Sequence, residues 1–269
     1  MNYMKRKLLI TLSLMIAGAT IYGAAGKDFR KARGVIRIVQ YNVGAFSKEI
    51  ENSIPMISEM MKELEADAVS LNEVDSCNLR HRNNQLSDFA EAMGGWQYRF
   101  GCALKFMGGA YGVGVATGDE IIRSVNIPLP KGKGSEPRAC CVVETKRYVL
   151  ASTHLDYKSE DAAVAQAEII NARLKEMYSD SDKAVLLSGD MNFEPGSAVL
   201  QTLKKEWDVL TEPSASYPAD NPRSCIDYIL ILRNRARVSL KATAVSTRFE
   251  SGDVKVASDH LPVYVDITM

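Results

Sequence analysis

The chain alternates between two hydrophobic rhythms. Apolar residues recurring every second position, or in short β-branched runs, predict strands. Such runs occupy Val35 to Tyr41, Asp67 to Leu71, Trp96 to Leu104, Gly112 to Thr117 and Glu120 to Val125. They recur at Ala139 to Glu144 and Tyr148 to Ser152, which read as a hairpin around Thr145-Lys146-Arg147. Ala184 to Ser188, Ile226 to Leu232, Val238 to Val245 and Val263 to Ile267 complete the set. Apolar residues spaced three and four apart predict helices. Ser47 to Leu64 places Ile50, Ile54, Ile57, Met60, Met61 and Leu64 on one side. Gln85 to Met93 is a second helix, stopped by Gly94-Gly95. Ser159 to Tyr178 is a long third, and Ser197 to Lys205 a short fourth. Several strands in succession between helices predict an α/β fold of packed sheets flanked by helices, rather than simple β-α-β winding.

The polar residues change this picture most, because they gather where apolar strands end. The clusters are Gln40-Tyr41-Asn42, Leu71-Asn72-Glu73, Ser152-Thr153-His154-Leu155-Asp156, Ser188-Gly189-Asp190-Met191-Asn192 and Ser258-Asp259-His260. Asp227 lies inside a further apolar run, Cys225 to Leu230. A carboxylate in an apolar strand costs free energy unless it is paired or bound to a cation. Glu73, Asp190, Asp227 and Asp259 share that problem, and a common hard cation such as Mg²⁺, which prefers oxygen ligands, would solve it. Two of the three histidines, His154 and His260, fall in these clusters. Histidine is the side chain best suited to move protons near neutral pH. Carboxylates for a metal, Asn amides and two histidines fit phosphoester cleavage. Ser258-Asp259-His260 is not a serine-hydrolase triad: consecutive side chains diverge, and no G-x-S-x-G elbow occurs.

Composition sets bounds. The 269 residues are 46% hydrophobic and 25% charged, which is ordinary globular usage. The 33 basic and 33 acidic residues balance, so the chain lacks the basic footprint of a general nucleic-acid coat. Lys5-Arg6-Lys7, the apolar run Leu8 to Ile16 and the small residues ending Gly23-Ala24-Ala25-Gly26 form a secretory signal pattern with cleavage expected after Ala25. An uncleaved anchor is the alternative, since Leu8 to Ala25 is nearly long enough to span a bilayer. Residues 1–25 are therefore read as a signal peptide and 26–269 as one catalytic domain, periplasmic or secreted and mildly acidic. Five cysteines remain, an odd count without a C-x-x-C pair, which argues against a structural zinc site. They are read mainly as core fillers, with adjacent Cys140 and Cys141 on opposite faces of a strand.

These runs, in this order, resemble the endonuclease/exonuclease/phosphatase superfamily, which also includes neutral sphingomyelinases and deoxyribonuclease-I-like enzymes. The resemblance rests on Tyr41-Asn42-Val43, Leu71-Asn72-Glu73-Val74-Asp75, Thr153-His154-Leu155-Asp156, Ser188-Gly189-Asp190-Met191-Asn192, Ile226-Asp227-Tyr228-Ile229 and Ser258-Asp259-His260-Leu261-Pro262. Gly108-Gly109-Ala110-Tyr111-Gly112 and Glu136-Pro137-Arg138 also resemble runs in bacterial members. The resemblance implies a four-layer α/β/β/α sandwich of two packed mixed sheets, with the site at one end of them. It makes Glu73 the main Mg²⁺ ligand (Mn²⁺ being a second candidate), supported by Asn42 and Asp259. Asp190 and Asn192 would position the attacking water and phosphate oxygens, and Asp227 would orient His260. His154 matches a phosphate-contacting histidine, and Tyr111, Arg138, Arg80 and Asp156 would face the substrate. Whether His260 or Asp190 is the base stays open at this point. Two departures narrow the branch. The acidic residue that AP-endonuclease-like members carry two positions after the first Asn is Gly44 here. The Trp-Cys-Asp-Arg run of inositol-phosphate 5-phosphatases is replaced by Ser224-Cys225-Ile226-Asp227-Tyr228. The expectation is a Mg²⁺-dependent phosphodiesterase acting as a monomer on a phosphoester substrate. That substrate could be nucleic acid, a phospholipid headgroup or a small metabolite, and no stable nucleic-acid complex is expected. The alternatives are a non-catalytic binding protein on the same fold and a phosphomonoesterase of a small metabolite.

Overall fold

The structure, a computed structural model, describes residues 29–269. The signal-peptide reading of residues 1–25 lies outside the described residues. Twelve strands form two mixed six-stranded sheets. The first sheet contains β1 (Ile36–Asn42), β2 (Ala68–Ser76), β3 (Gln97–Phe106), β4 (Gly109–Thr117), β11 (Ser239–Val245) and β12 (Val263–Thr268), in the order β11-β12-β1-β2-β4-β3. The second contains β5 (Ile121–Leu129), β6 (Arg138–Thr145), β7 (Tyr148–His154), β8 (Ala184–Asp190), β9 (Trp207–Val209) and β10 (Asp227–Leu232), in the order β5-β6-β7-β8-β10-β9. Each sheet has one parallel pair at its centre, β1 with β2 and β7 with β8, among antiparallel neighbours.

Period-two alternation explains the layering. On β1, Val39 and Tyr41 face the helix layer, where they pack with Ile57, Met60 and Met61 of α1 (Ile54–Glu63) and Leu86 and Phe89 of α2 (Gln85–Ala92). On β7 and β8, Val149, Ala151, Val185 and Leu187 pack outward against Ala167, Ile170 and Leu174 of α3 (Glu160–Tyr178) and Leu200 and Leu203 of α4 (Ala198–Leu203). The intervening residues (Ile36, Ile38, Leu150, Leu186, Ile229 and Val265 among them) form a third cluster between the sheets. Cys140 belongs to the helix-side cluster and Cys141 to the inter-sheet one, as adjacent strand residues should. The result is the α/β/β/α sandwich.

The structure corrects several sequence-based expectations. The helix expected over 47–64 begins only at Ile54, after a 3-10 turn at Gly44–Phe46. Pro55 is the reason: it has no N–H and clashes with the carbonyl four residues back, so it fits only in a first turn. Ile50 is thereby outside the helix. Short β9 and α5 (Val254–Ala257) carry too few residues for a periodic signal. All five cysteines are free, but only Cys140, Cys141 and Cys225 are buried. Cys77 and Cys102 are exposed, which corrects the core-filler reading for those two.

Candidate active site

Along each central strand the inward-facing positions run from apolar to polar. On β1 they read Ile36, Ile38, Gln40, Asn42; on β7, Tyr148, Leu150, Ser152, His154; on β8, Ala184, Leu186, Ser188, Asp190. Because β1, β2, β7 and β8 all point the same way in their pairs, their polar ends meet at one edge. β10 runs antiparallel to β8, so its first residue, Asp227, pairs with the last of β8, Asp190. The segment before β12 arrives at the same edge through the antiparallel pairing of β12 with β1.

A buried polar layer underlies this edge. The Gln40 amide donates to Asn72 Oδ1 at 2.6 Å and to Asp227 Oδ1 at 3.2 Å. Its oxygen accepts from Ser70 at 2.8 Å and Ser188 at 3.1 Å. Asn72 ties the two sheets together, donating to Thr153 O at 2.9 Å while its oxygen accepts from the Asp190 N–H at 2.8 Å. Buried polar groups are tolerated only when satisfied, and this layer satisfies itself.

On that layer sits a carboxylate–imidazole cluster. His260 Nδ1 lies 2.8 Å from Asp227 Oδ2, which also accepts from Ser216 at 2.6 Å. His260 Nε2 faces Asp190 Oδ2 at 3.6 Å, and His154 Nε2 approaches the same oxygen at 3.5 Å. Asp190, Asp227 and His260 are all buried, and one potential ligand atom from each lies within 4.8 Å of the others, a candidate metal site. Burial alone would lower the His260 pKa, but Asp227 and Asp190 outweigh it and raise the imidazole to about 9. Burial raises Asp190, with Asp227 adding to the rise and His260 opposing it. His154 goes the other way: burial, then the positive charge of Arg138, hold it well below the ordinary histidine range. Ser258 donates to Asn42 O at 2.7 Å, fastening the His260 segment to the end of β1. The Tyr217 ring lies over His260 with centroids 4.7 Å apart.

A more open region flanks this cluster. Glu73 sits at a β-bulge, where the β2–β4 register slips between Asn72 and Val74. Strict alternation would put Glu73 on the helix face with Leu71. The bulge, with Glu73 at φ 58°, absorbs it as an extra residue, so Asn72 stays between the sheets while Val74 moves to the helix face with Leu71. Asn42 spans the gap, its amide nitrogen 3.2 Å from Glu73 Oε1 and 3.1 Å from Asp190 Oδ2. Its carbonyl oxygen accepts from Gly44 N–H at 3.1 Å. That backbone donor holds the amide with its nitrogen turned toward the Glu73 and Asp190 carboxylates. Asp259 pairs with Lys48 at 2.8 Å.

Arg138, Tyr111 and His154 line one recess, together with Gly112, Val113 and Ala139. Arg138 Nε and His154 Nδ1 are buried there without a partner. Arg138 also pairs with Glu136 at 3.1 Å. Burial, then Glu73, raise the Tyr111 phenol well above its ordinary value, so it stays neutral. Arg80 is exposed at the rim, held by both oxygens of buried Asp75 at 2.6 and 2.9 Å and stacked on Phe106. Asn192, at φ 59°, donates to Leu155 O at 3.0 Å and bridges two loops. Asp156 departs from expectation. It is buried, and its carboxylate accepts from Ser135 N and Oγ and, at 2.8 Å each, from Lys158 N and Ser159 N. Those bonds pin the 130–135 loop to the start of α3, leaving no face for a substrate. The sequence reading missed Lys48, Gln40, Ser70, Ser216 and Tyr217. Gln40 and Ser70 could have been found from alternation, since each follows an inward apolar residue by two; the others reach the site from loops.

The sequence model of the Endonuclease/Exonuclease/phosphatase family matches residues 39–260. Among solved structures, an endonuclease/exonuclease/phosphatase family protein from Bacteroides thetaiotaomicron is 18% identical, with a TM-score of 0.69 over 87% of this chain and 97% of its own. A mannosyl-6-phosphatase from the same species is 19% identical with a TM-score of 0.71, over 87% and 100% of the two chains. The human Nocturnin catalytic domain, solved with a bound sulfate anion, is 19% identical with a TM-score of 0.65, over 87% and 93%. No curated protein sequence matches the chain. At these identities the structural neighbours show the fold.

Proposed function

The chain belongs to the Endonuclease/Exonuclease/phosphatase family, and from that premise we propose that it is a divalent-metal-dependent phosphoesterase, with Mg²⁺ as the resident cation and Mn²⁺ as a substitute. The observation that carries the reading is His260 held between Asp227 at 2.8 Å and Asp190 at 3.6 Å, beside the half-buried carboxylates of Glu73 and Asp259 on one flank and the Arg138–His154 recess on the other.

The donor set fits a hard cation. Glu73 and Asp259 are carboxylates at an accessible edge, and oxygen donors with room for water suit Mg²⁺. Asp190 lies within reach of the same edge through Asn42. The Asp190, Asp227 and His260 group suits it less, because Asp227 and His260 already satisfy each other. When bound, the metal would supply Lewis-acid neutralisation of the phosphoryl charge. The protein's own residues would do the rest. Arg138 Nε and His154 Nδ1, unpartnered in the recess, would donate to non-bridging phosphate oxygens. Asp190, raised by burial, would take the proton of a water attacking phosphorus in line. His260, protonated at neutral pH, would give a proton to the oxygen of the leaving alcohol as the P–O bond breaks. Asp227 keeps the imidazole in one orientation and holds the Nδ1 proton.

A phosphodiester is the preferred substrate in this reading. A monoester of a small metabolite is the second, supported by the two unpartnered donors in the recess and by the likeness to a mannosyl-6-phosphatase. Hydrolysis of bis-p-nitrophenyl phosphate and p-nitrophenyl phosphate, each with Mg²⁺ and with EDTA, separates them. Activity that survives both EDTA and His260→Ala would remove the metal–histidine mechanism. The same proposal includes export directed by residues 1–25, testable by fractionation, and a monomer in solution. Among the described residues no helix is long and apolar enough to cross a membrane.

A further inference from the structure

Lys48 has no place in the chemistry above, yet it is built into the metal-binding flank. Its ammonium lies 2.8 Å from Asp259 Oδ2, and Glu73 adds to the field that holds it there. The backbone makes room for it. Gly44 has φ 52°, and a Cβ at that position would come within 2.8 Å of Lys48 Cβ and 3.4 Å of its Cγ and Cδ. Any other residue at 44 would therefore push the lysine stem off the path it follows to Asp259. The Asn42 side chain fixes the same turn, accepting from Gly44 N–H at 3.1 Å while its amide faces Glu73. Glycine, asparagine and lysine thus combine to put one positive charge among the carboxylates expected to hold a divalent cation.

Two features decide what that charge can do. Lys48 is about half exposed, with its side chain at 46% of full accessibility, so its head group can swing into water with little loss. Asp259 is more enclosed, at 17%, and cannot leave. A half-exposed ion pair of this kind is weak, whereas a divalent cation brings twice the charge to the same oxygens.

Resting on the metal-site reading above, we infer that Lys48 is a resident counter-cation of that site, which neutralises Asp259 while the metal is absent and gives way when the metal enters. Metal binding is then an exchange of cations. The apparent metal affinity is set by how firmly Lys48 holds Asp259, and the carboxylates are never left as an unscreened pair. The device also favours small divalent ions over monovalent ones, since a monovalent ion gains nothing over the ammonium it replaces.

Calorimetric titration of Mg²⁺ and Mn²⁺ into the full-length wild type, Lys48→Met, Lys48→Arg and Glu73→Gln tests this directly, with no dependence on activity. Lys48→Met keeps the stem and removes the charge, and is expected to bind either ion about tenfold tighter, the scale of one nearby positive charge acting on a divalent ion. Lys48→Arg keeps the charge and should stay near wild type. Metal-free Lys48→Met should melt lower than wild type and gain more on adding saturating metal, because its carboxylates then lack their counter-charge. Unchanged or weaker metal binding by Lys48→Met, with wild type binding normally, would overturn the exchange and leave the metal site standing. Binding by wild type that Glu73→Gln does not weaken would place the metal elsewhere and overturn both.

Discussion

The two ends of the layer between the sheets are made from the same strands but obey opposite rules. At one end, Ile36, Ile38, Leu150, Leu186 and Ile267 pack as an apolar cluster with nothing to satisfy. At the other, Gln40, Ser70, Asn72, Ser152 and Ser188 fill the equivalent positions with hydrogen bonds, and the strands finish in Asn42, His154 and Asp190. The apolar end holds the sheets together by burial, which is non-directional and tolerates any close-packed filling. The polar end uses directional contacts, each satisfied only in one geometry. One end supplies stability, and the other fixes the positions of Asp190 and Asp227.

Four perturbations would break or sharpen that contrast. The largest effect belongs to the polar end. His260→Ala should lower kcat per folded molecule by roughly 10²–10⁴-fold, the usual contribution of a positioned acid or base, with the circular dichroism spectrum little changed; a loss under tenfold would deny His260 a part in proton transfer. Next, Leu186→Ala at the apolar end should cost about 2–5 kcal/mol in chemical denaturation through the cavity it leaves, while kcat/KM per folded molecule holds. A selective loss of activity instead would show that the two ends are not separable.

Gln40→Leu should do some of each. It takes one donor each from Asn72 Oδ1 and Asp227 Oδ1 and the shared acceptor from the Ser70 and Ser188 hydroxyls, at a cost of about 1–3 kcal/mol, and should also shift the pH–rate profile by loosening the Asp227–His260 pair. A purely structural Gln40 would leave that profile unmoved. The smallest effect is on stability with pH in the metal-free protein. The His260 pKa is raised from 6.5 to about 9, so its contribution is fully present below about pH 6.5 and is lost as pH rises through about 9. Asp190 is also raised, and acts with the same sign over a lower range: its contribution falls away as pH climbs above 3.8. Melting temperature should therefore decline between pH 6.5 and 9 in wild type and decline less in His260→Gln. Equal slopes would mean that the imidazole does not gain its proton from folding.

Much of this arrangement is legible in the residues alone. The apolar runs locate most strands to within a few residues, because alternation on a half-buried sheet is a local property. The polar clusters at strand ends locate Glu73, His154, Asp190, Asp227 and His260, because a charged group that closes an apolar run must be paired, solvated or bound to a ligand. Two errors share one physical cause. Asp156 looked like a substrate ligand but serves its own loop, and Cys77 and Cys102 looked like core but are exposed. In each, residue type was read correctly and the partner was not, since partners come from distant segments.

The sequence by itself determined which residues alternate, where each strand stops and which chemical groups stand at its end. Those follow from the backbone repeat and from the cost of burying charge. Only the tertiary structure decided that β10 runs back along β8 so that Asp227 meets Asp190, that a bulge turns Glu73 away from the helix face, and that Lys48 reaches Asp259 across a glycine turn. Strand direction, register slips and long-range ion pairs depend on which surfaces meet, and that is set by the packing of the whole chain rather than by any one segment of it.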